Sequence, residues 1–171
     1  QVLDQLHQLG IKKTIMLTGD NEGVARAIAA TVGLDEVKAG LLPEDKVKAM
    51  EELGQRYGQV AMVGDGVNDA PAMARASVGI AMGGAGTDVA LETADVALMA
   101  DDLSRLPFAV GLSRASRRII RQNLYVSLGV VAVLIPATLF GWAGIGWAVV
   151  IHEGSTLVVV INALRLLAYK E

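Results

Sequence analysis

Between Arg121 and His152 the chain runs for thirty residues without an Asp, Glu, Lys, Arg or His, and this run constrains the fold most. A bilayer core takes about 20 apolar residues as helix, so the run is long for a single crossing. Gly141-Trp142-Ala143-Gly144-Ile145-Gly146-Trp147 interrupts it with residues suited to a turn and to the membrane–water interface. The sequence therefore predicts a hairpin of two membrane helices, at 122–140 and 147–169, with Pro136 kinking the first rather than ending it. Two buried helices of a soluble core fit less well, because such helices seldom stay fully apolar for so long. Arg114, Arg117, Arg118 and Arg121 precede the hairpin, Arg165 and Lys170 close it, and the turn is uncharged. The positive-inside rule then puts both ends in the cytoplasm.

The remainder has the opposite character. Of 33 charged residues, only Glu153, Arg165, Lys170 and Glu171 follow Arg121. The net charge of −3 excludes a nucleic-acid partner bound by bulk charge. Without cysteine the chain can form neither a disulfide nor a thiolate metal site of its own. The start, Gln1-Val2-Leu3-Asp4, has no basic or apolar leader and reads as a sequence entered midway through a helix, as expected of a piece of a longer protein.

Residues 1–104 alternate short β-branched runs with helical stretches, the pattern of a parallel α/β sheet. Strands are predicted at 14–17, 60–63, 78–81 and 96–99, and helices at 22–32, 43–57, from about Pro71, and at 87–93. Residues 104–121 form a polar, basic helix expected to run without a break into the first span. Two acidic turns follow strands directly: Thr18-Gly19-Asp20, and Gly64-Asp65-Gly66-Val67-Asn68-Asp69. Ligands of open α/β sheets bind outside the carboxyl ends of the strands, where both turns fall. Asp65, Asn68 and Asp69 offer the hard oxygens that hold Mg²⁺. Lys46 can neutralise phosphoryl charge. Alone, Thr18-Gly19-Asp20 is more often a helix cap than a site and Lys46 is ordinarily a solvated helix residue; the Gly64–Asp69 run is the more specific signal. Gly83-Gly84-Ala85-Gly86 reads as a flexible turn.

His152 and Glu153 fall inside the second span, where an ionisable residue marks a pathway by default. Thr156 shares a face with each of them at helical spacing, so the stripe offers nitrogen and oxygen donors to a borderline divalent ion. The pair is also compatible with a structural place at the interface, a few residues past the tryptophans.

The order Thr18-Gly19-Asp20-Asn21, Pro43-Glu44-Asp45-Lys46, Gly64-Asp65-Gly66-Val67-Asn68-Asp69-Ala70-Pro71 and then a membrane hairpin resembles the C-terminal part of a P-type ATPase. The resemblance covers essentially the whole chain. It implies a haloacid-dehalogenase-like α/β half-domain at 1–104, part of the phosphorylation domain, then a basic linker helix at 105–121 and two membrane helices within 122–169. Two spans after that domain resemble the heavy-metal branch, and His152-Glu153-Gly154-Ser155-Thr156 resembles the motif of its cobalt-type subgroup. The zinc/cadmium/lead-type pumps carry an Asp in that helix, which this sequence lacks. The family then implies an ATP-driven exporter of Co²⁺, Zn²⁺, Fe²⁺ or Cd²⁺, multi-pass in a bacterial plasma membrane, with Mg²⁺ as cofactor.

The resemblance also implies roles. Thr18 and Gly19 would hold aspartyl-phosphate oxygens, Asp20 would order the nucleotide side, and Lys46 would offset phosphoryl charge. Asp65 would ligate Mg²⁺ with support from Asn68 and Asp69, and His152, Glu153 and Thr156 would face the transported metal. The family's nucleophile lies in D-K-T-G-T, which these residues do not contain, so the chain alone is expected to be inactive. ATP would be bound mainly by the remainder of the chain. The competing reading is a membrane-anchored phosphatase of the same superfamily.

Overall fold

The computed structural model describes residues 1–64, 68–82, 92–98 and 102–170. The chain divides into two compact units, Gln1–Pro107 and Phe108–Glu171.

The first unit alternates helix and strand in the order α1 (Val2–Gln8), β1 (Ile15–Leu17), α2 (Glu22–Val32), β2 (Glu36–Lys38), α3 (Pro43–Tyr57), β3 (Ala61–Gly64), α4 (Ala70–Met73), β4 (Val78–Met82) and β5 (Val96–Leu98). Every strand pairing is parallel, as the alternation predicts: β1 with β2, and β3–β4–β5. Local signals set the helix ends. Asn21 Oδ1 accepts the Val24 N–H at 3.0 Å to cap α2, and Gly33 closes it at φ 87°, a left-handed conformation that glycine adopts without strain. Pro43 opens α3, and its entry is fixed by the Leu42 N–H donating to Asp45 Oδ2 at 3.3 Å.

Met50 and Leu53 of α3, Met62 of β3, Ala70, Ala72 and Met73 of α4 and Ala81 of β4 form one buried cluster, with Ile15, Leu17 and Val47 against it. This packing carries β1 and β3 into the same core. At the other end of β1, Asp35 accepts the Thr14 N–H and hydroxyl at 2.7 and 2.8 Å. These bonds from Thr14, helped by His7, lower its pKa to about 2.

Some boundaries differ from expectation. The strand expected at 60–63 starts one residue later, because the Val60 N–H is taken by Ser77 Oγ at 3.2 Å. The helix expected from Pro71 is a single turn starting at Ala70, since the chain must reverse at once into β4. β2 was not expected. Of the helix expected at 87–93 only Glu92 and Thr93 lie among the described residues, and they are helical; Gly83-Gly84-Ala85-Gly86 and Met99 lie outside them.

The second unit is a helical hairpin. α5 (Arg105–Leu139) is one helix of 35 residues that passes through Pro136, and α6 (Ile145–Leu164) follows, ending in a 3₁₀ turn, Arg165–Ala168. Both are long and apolar enough to cross a membrane. The second helix begins at Ile145 rather than Trp147: Gly144 takes the extended conformation before a helix (φ −72°, ψ 157°), so Gly146 and Trp147 are helical and the turn is shorter than expected. Where the two helices meet, Asn162 Nδ2 donates to Asn123 Oδ1 at 2.8 Å and to Gln122 Oε1 at 3.2 Å, and Arg165 donates to Asn162 Oδ1 at 2.9 Å.

Candidate functional site

β1 delivers Thr18 to the end of its strand. The Thr18 N–H donates to the Lys38 carbonyl at 3.0 Å, the Thr18 carbonyl accepts the Leu41 N–H at 3.0 Å, and the Asp20 carbonyl accepts the Gly40 N–H at 2.8 Å. The Thr18-Gly19-Asp20 turn is thereby laced to the loop that enters α3. A Cβ on Gly19 would lie 3.3 Å from the Leu41 carbonyl oxygen, so the close approach favours glycine. Within the turn the Thr18 hydroxyl donates to Asp20 Oδ2 at 2.9 Å and accepts the Asp20 N–H at 3.2 Å. The helix cap is Asn21, so neither Thr18 nor Asp20 is spent on capping α2.

One turn into α3 stands Lys46. It occupies the first place of the stripe Lys46, Met50, Leu53, whose other two members are buried core residues. A lysine on that face points inward. Its Nζ lies 2.7 Å from Asp69 Oδ1, and the two side chains are only 17% and 14% exposed. Asp69 begins α4 at the far end of the Gly64–Asp69 run, with its carbonyl accepting the Met73 N–H at 2.8 Å. The three sequence motifs are therefore linked in series: the Thr18 turn to the α3 entry, α3 through Lys46 to Asp69. Asn68 is exposed beside the pair, while Asp65 lies outside the described residues.

Gly64 makes this arrangement possible. A Cβ there would sit 2.8 Å from Asp69 Cβ, closer than two such atoms can come. Gly64→Ala is expected to push Asp69 away from Lys46 and to destabilise the fold by about 1–3 kcal/mol, as overpacking does. Urea unfolding measures the loss, and an unchanged midpoint would show that Asp69 yields without cost.

The donor set suits a hard cation: Asn68 offers its amide oxygen and Asp69 its carboxylate, and Asp69 Oδ2 is not taken by Lys46, which bonds Oδ1. Among the described residues no three His, Cys, Asp or Glu side chains come together. His152, Glu153 and Thr156 share α6 with their side chains exposed. The Ser155 and Thr156 hydroxyls donate back to the His152 carbonyl at 2.6 and 3.3 Å, a local bonding that leaves their oxygen lone pairs outward.

Residues 1–77 match the family described as haloacid dehalogenase-like hydrolase. Over 99% of its length the chain is 51% identical to the cadmium-transporting ATPase of Staphylococcus aureus, covering 23% of that protein. It is 53% identical over 96% of its length to the zinc/cadmium/lead-transporting P-type ATPase of Escherichia coli, covering 22% of it. A crystal structure of a zinc-transporting PIB-type ATPase in the E2·Pi state superposes on 97% of the chain with a TM-score of 0.89 and 52% identity, over 27% of that structure. The chain is homologous to metal-transporting P-type ATPases. It spans about a quarter of the length of these P-type ATPases, across both the α/β unit and the apolar hairpin.

The sequence singled out Lys46 and Asp69 separately and missed that they pair. The available signal was a lysine in the apolar stripe of α3. It missed Asn162 as well, whose place one helical turn before Arg165 and beside the Gln122-Asn123 pair is visible only once the hairpin is folded.

Proposed function

We propose that this chain is part of an ATP-driven exporter of a divalent transition metal that works through an aspartyl-phosphate formed on a residue outside it. The part-buried Lys46–Asp69 pair carries the reading. A cation and a carboxylate held at the carboxyl ends of parallel strands, next to two Gly-Asp turns, suit a site that neutralises and positions a phosphoryl group. Thr18 and Gly19 hold phosphate oxygens, the Thr18 hydroxyl by turning its proton from Asp20 to the phosphate and Gly19 through its backbone N–H, Asp20 orders the nucleotide side, and Lys46 offsets phosphoryl charge. Asp65, Asn68 and Asp69 are the residues that would hold Mg²⁺, which when bound adds further neutralising charge. Residues 1–104 serve as part of the phosphorylation domain, 105–121 as a linker helix, and 122–169 as two spans of a bacterial plasma membrane with both ends cytoplasmic.

His152, Glu153 and Thr156 face the transported ion and supply part of its shell, with the rest coming from the remainder of the protein. Zinc and cadmium are the foremost cargo, supported by the names of relatives more than half identical to this chain. The cobalt-type reading, and with it Co²⁺ or Fe²⁺ as cargo, is supported by the His152–Thr156 run. Because the chain has no D-K-T-G-T, it is inactive alone.

The test is phosphorylation of the full-length protein by labelled ATP. Zn²⁺ or Cd²⁺ is expected to raise an acid-stable, hydroxylamine-labile phosphoprotein, and Asp65→Ala is expected to abolish it. Hydrolysis of small phosphate esters without any ATP-derived phosphoprotein would instead establish the membrane-anchored phosphatase.

A further inference from the structure

The second unit holds a cavity of about 140 Å³ between α5 and the 3₁₀ turn, lined by Arg118, Ile119 and Gln122 on one side and Arg165, Leu166 and Tyr169 on the other. That volume is worth about four or five waters of the liquid. Two contacts bracket this half-open cavity along the helices. The Asn162 amide bonds to Gln122 and Asn123 beyond one end, and the rings of Phe108 and Tyr169 meet at 5.7 Å beyond the other. The chain that follows α6 thus runs back along α5, and the cavity is a feature of that return path.

Its charge is one-sided. Between Phe108 and Lys170 stand Arg114, Arg117, Arg118, Arg121, Arg165 and Lys170 against one acidic side chain, Glu153. Glu153 lies twelve residues before Arg165, about 18 Å along the helix, too far to neutralise it. Arg118 makes no hydrogen bond or ion pair among the described residues. Arg165 uses one nitrogen on Asn162, which fixes the guanidinium and leaves its other donors free. Depth completes the description. From Asn123 to Leu139 the first span is about 26 Å of apolar helix, close to the hydrocarbon thickness, so Arg118 and Gln122 stand at its headgroup edge. Two guanidiniums, an amide and a phenol beside Ile119 and Leu166 match a phosphate diester whose acyl chains continue into lipid.

We propose that this cavity binds the headgroup of an anionic phospholipid in the leaflet that the basic residues face. The site is independent of the phosphoryl-transfer residues and needs only that the hairpin stand in a membrane.

The test uses the full-length protein in neutral detergent, titrated with phosphatidylglycerol or phosphatidylcholine and read by native mass spectrometry as lipid retained. Phosphatidylglycerol is expected to be preferred. Arg118→Gln with Arg165→Gln is expected to lose about thirtyfold in that preference, the worth of two basic residues near an anionic headgroup. Arg117→Gln with Arg121→Gln removes equal charge from positions that do not line the cavity, and is expected to keep most of it. Arg165 also holds Asn162, so Arg118→Gln alone carries the test if the double variant melts early. Equal retention of the two lipids, an equal loss in the Arg117/Arg121 variant, or displacement of the lipid by millimolar inorganic phosphate would each overturn the proposal, the last by assigning the site to a soluble anion.

Discussion

Phosphoenzyme formation by the full-length protein is expected to fall about 100-fold when Lys46 is replaced by Met, the scale on which a single preorganised donor to developing charge acts. Two losses combine. The phosphoryl group loses a fixed cation, and Asp69 is left as a part-buried carboxylate without its partner 2.7 Å away. The second loss is one of stability and is worth about 1.5–3 kcal/mol for a charged hydrogen bond. Adding Asp69→Asn to Lys46→Met separates them: it removes the stranded carboxylate without returning the cation, so the fold should be restored further than the activity. In a double-mutant cycle on unfolding the two changes are expected to be strongly non-additive, because each acts through the same contact. Additive effects on both stability and phosphorylation would mean that the pair is a surface bridge of no consequence. Metal binding at the membrane should change little in any of these variants, since Lys46 lies in the other unit.

Glu153→Ala is expected to produce the converse pattern. Loss of a group that only hydrogen-bonds to a metal ligand costs a metal site about 10–100-fold in affinity, so loss of a direct carboxylate ligand should cost at least about 100-fold. Zn²⁺ or Cd²⁺ stimulation of ATP hydrolysis should disappear over the usual concentration range, while phosphorylation from inorganic phosphate, which does not draw on a metal bound at Glu153, should persist. Retained metal stimulation would assign His152 and Glu153 to the membrane interface as structural residues. Thr156 is a milder case. Its hydroxyl already donates to the His152 carbonyl at 3.3 Å, so Thr156→Val should weaken metal dependence only as far as its oxygen contributes a lone pair.

How much of this was legible in the sequence depended on how local each signal was. α2 and α3 were read to the residue, because Asn21 and Gly33, Pro43 and Gly58 act on their own neighbours. The hairpin was legible from thirty residues without charge, but its second helix was started two residues late. Glycine composition assigns Gly146 to the turn, whereas Gly141 at φ 74° and the extended Gly144 make it and the helix tolerates Gly146. β2 was invisible. Glu36-Val37-Lys38 is three residues with charged ends, and it is a strand only because it pairs with Ile15–Leu17 some twenty positions earlier. The candidate site divides in the same way. Residue types at Thr18, Lys46 and Asp69 were readable, since the chemistry they serve is written in side chains. The lacing of Gly40 and Leu41 to the Thr18 turn, and the fit of Asp69 over Gly64, are consequences of packing that no window of sequence contains.

The amide bonds of Asn162 bear on how the apolar half is made. A carboxamide carried alone into hydrocarbon is a burden on a translocating segment, and sharing it across two helices returns about 0.6–2 kcal/mol. With Gln122 and Asn123 waiting at the matching level of the preceding helix, and with an uncharged loop between them, the two segments can leave the translocon together as one preassembled insertion unit rather than one after the other.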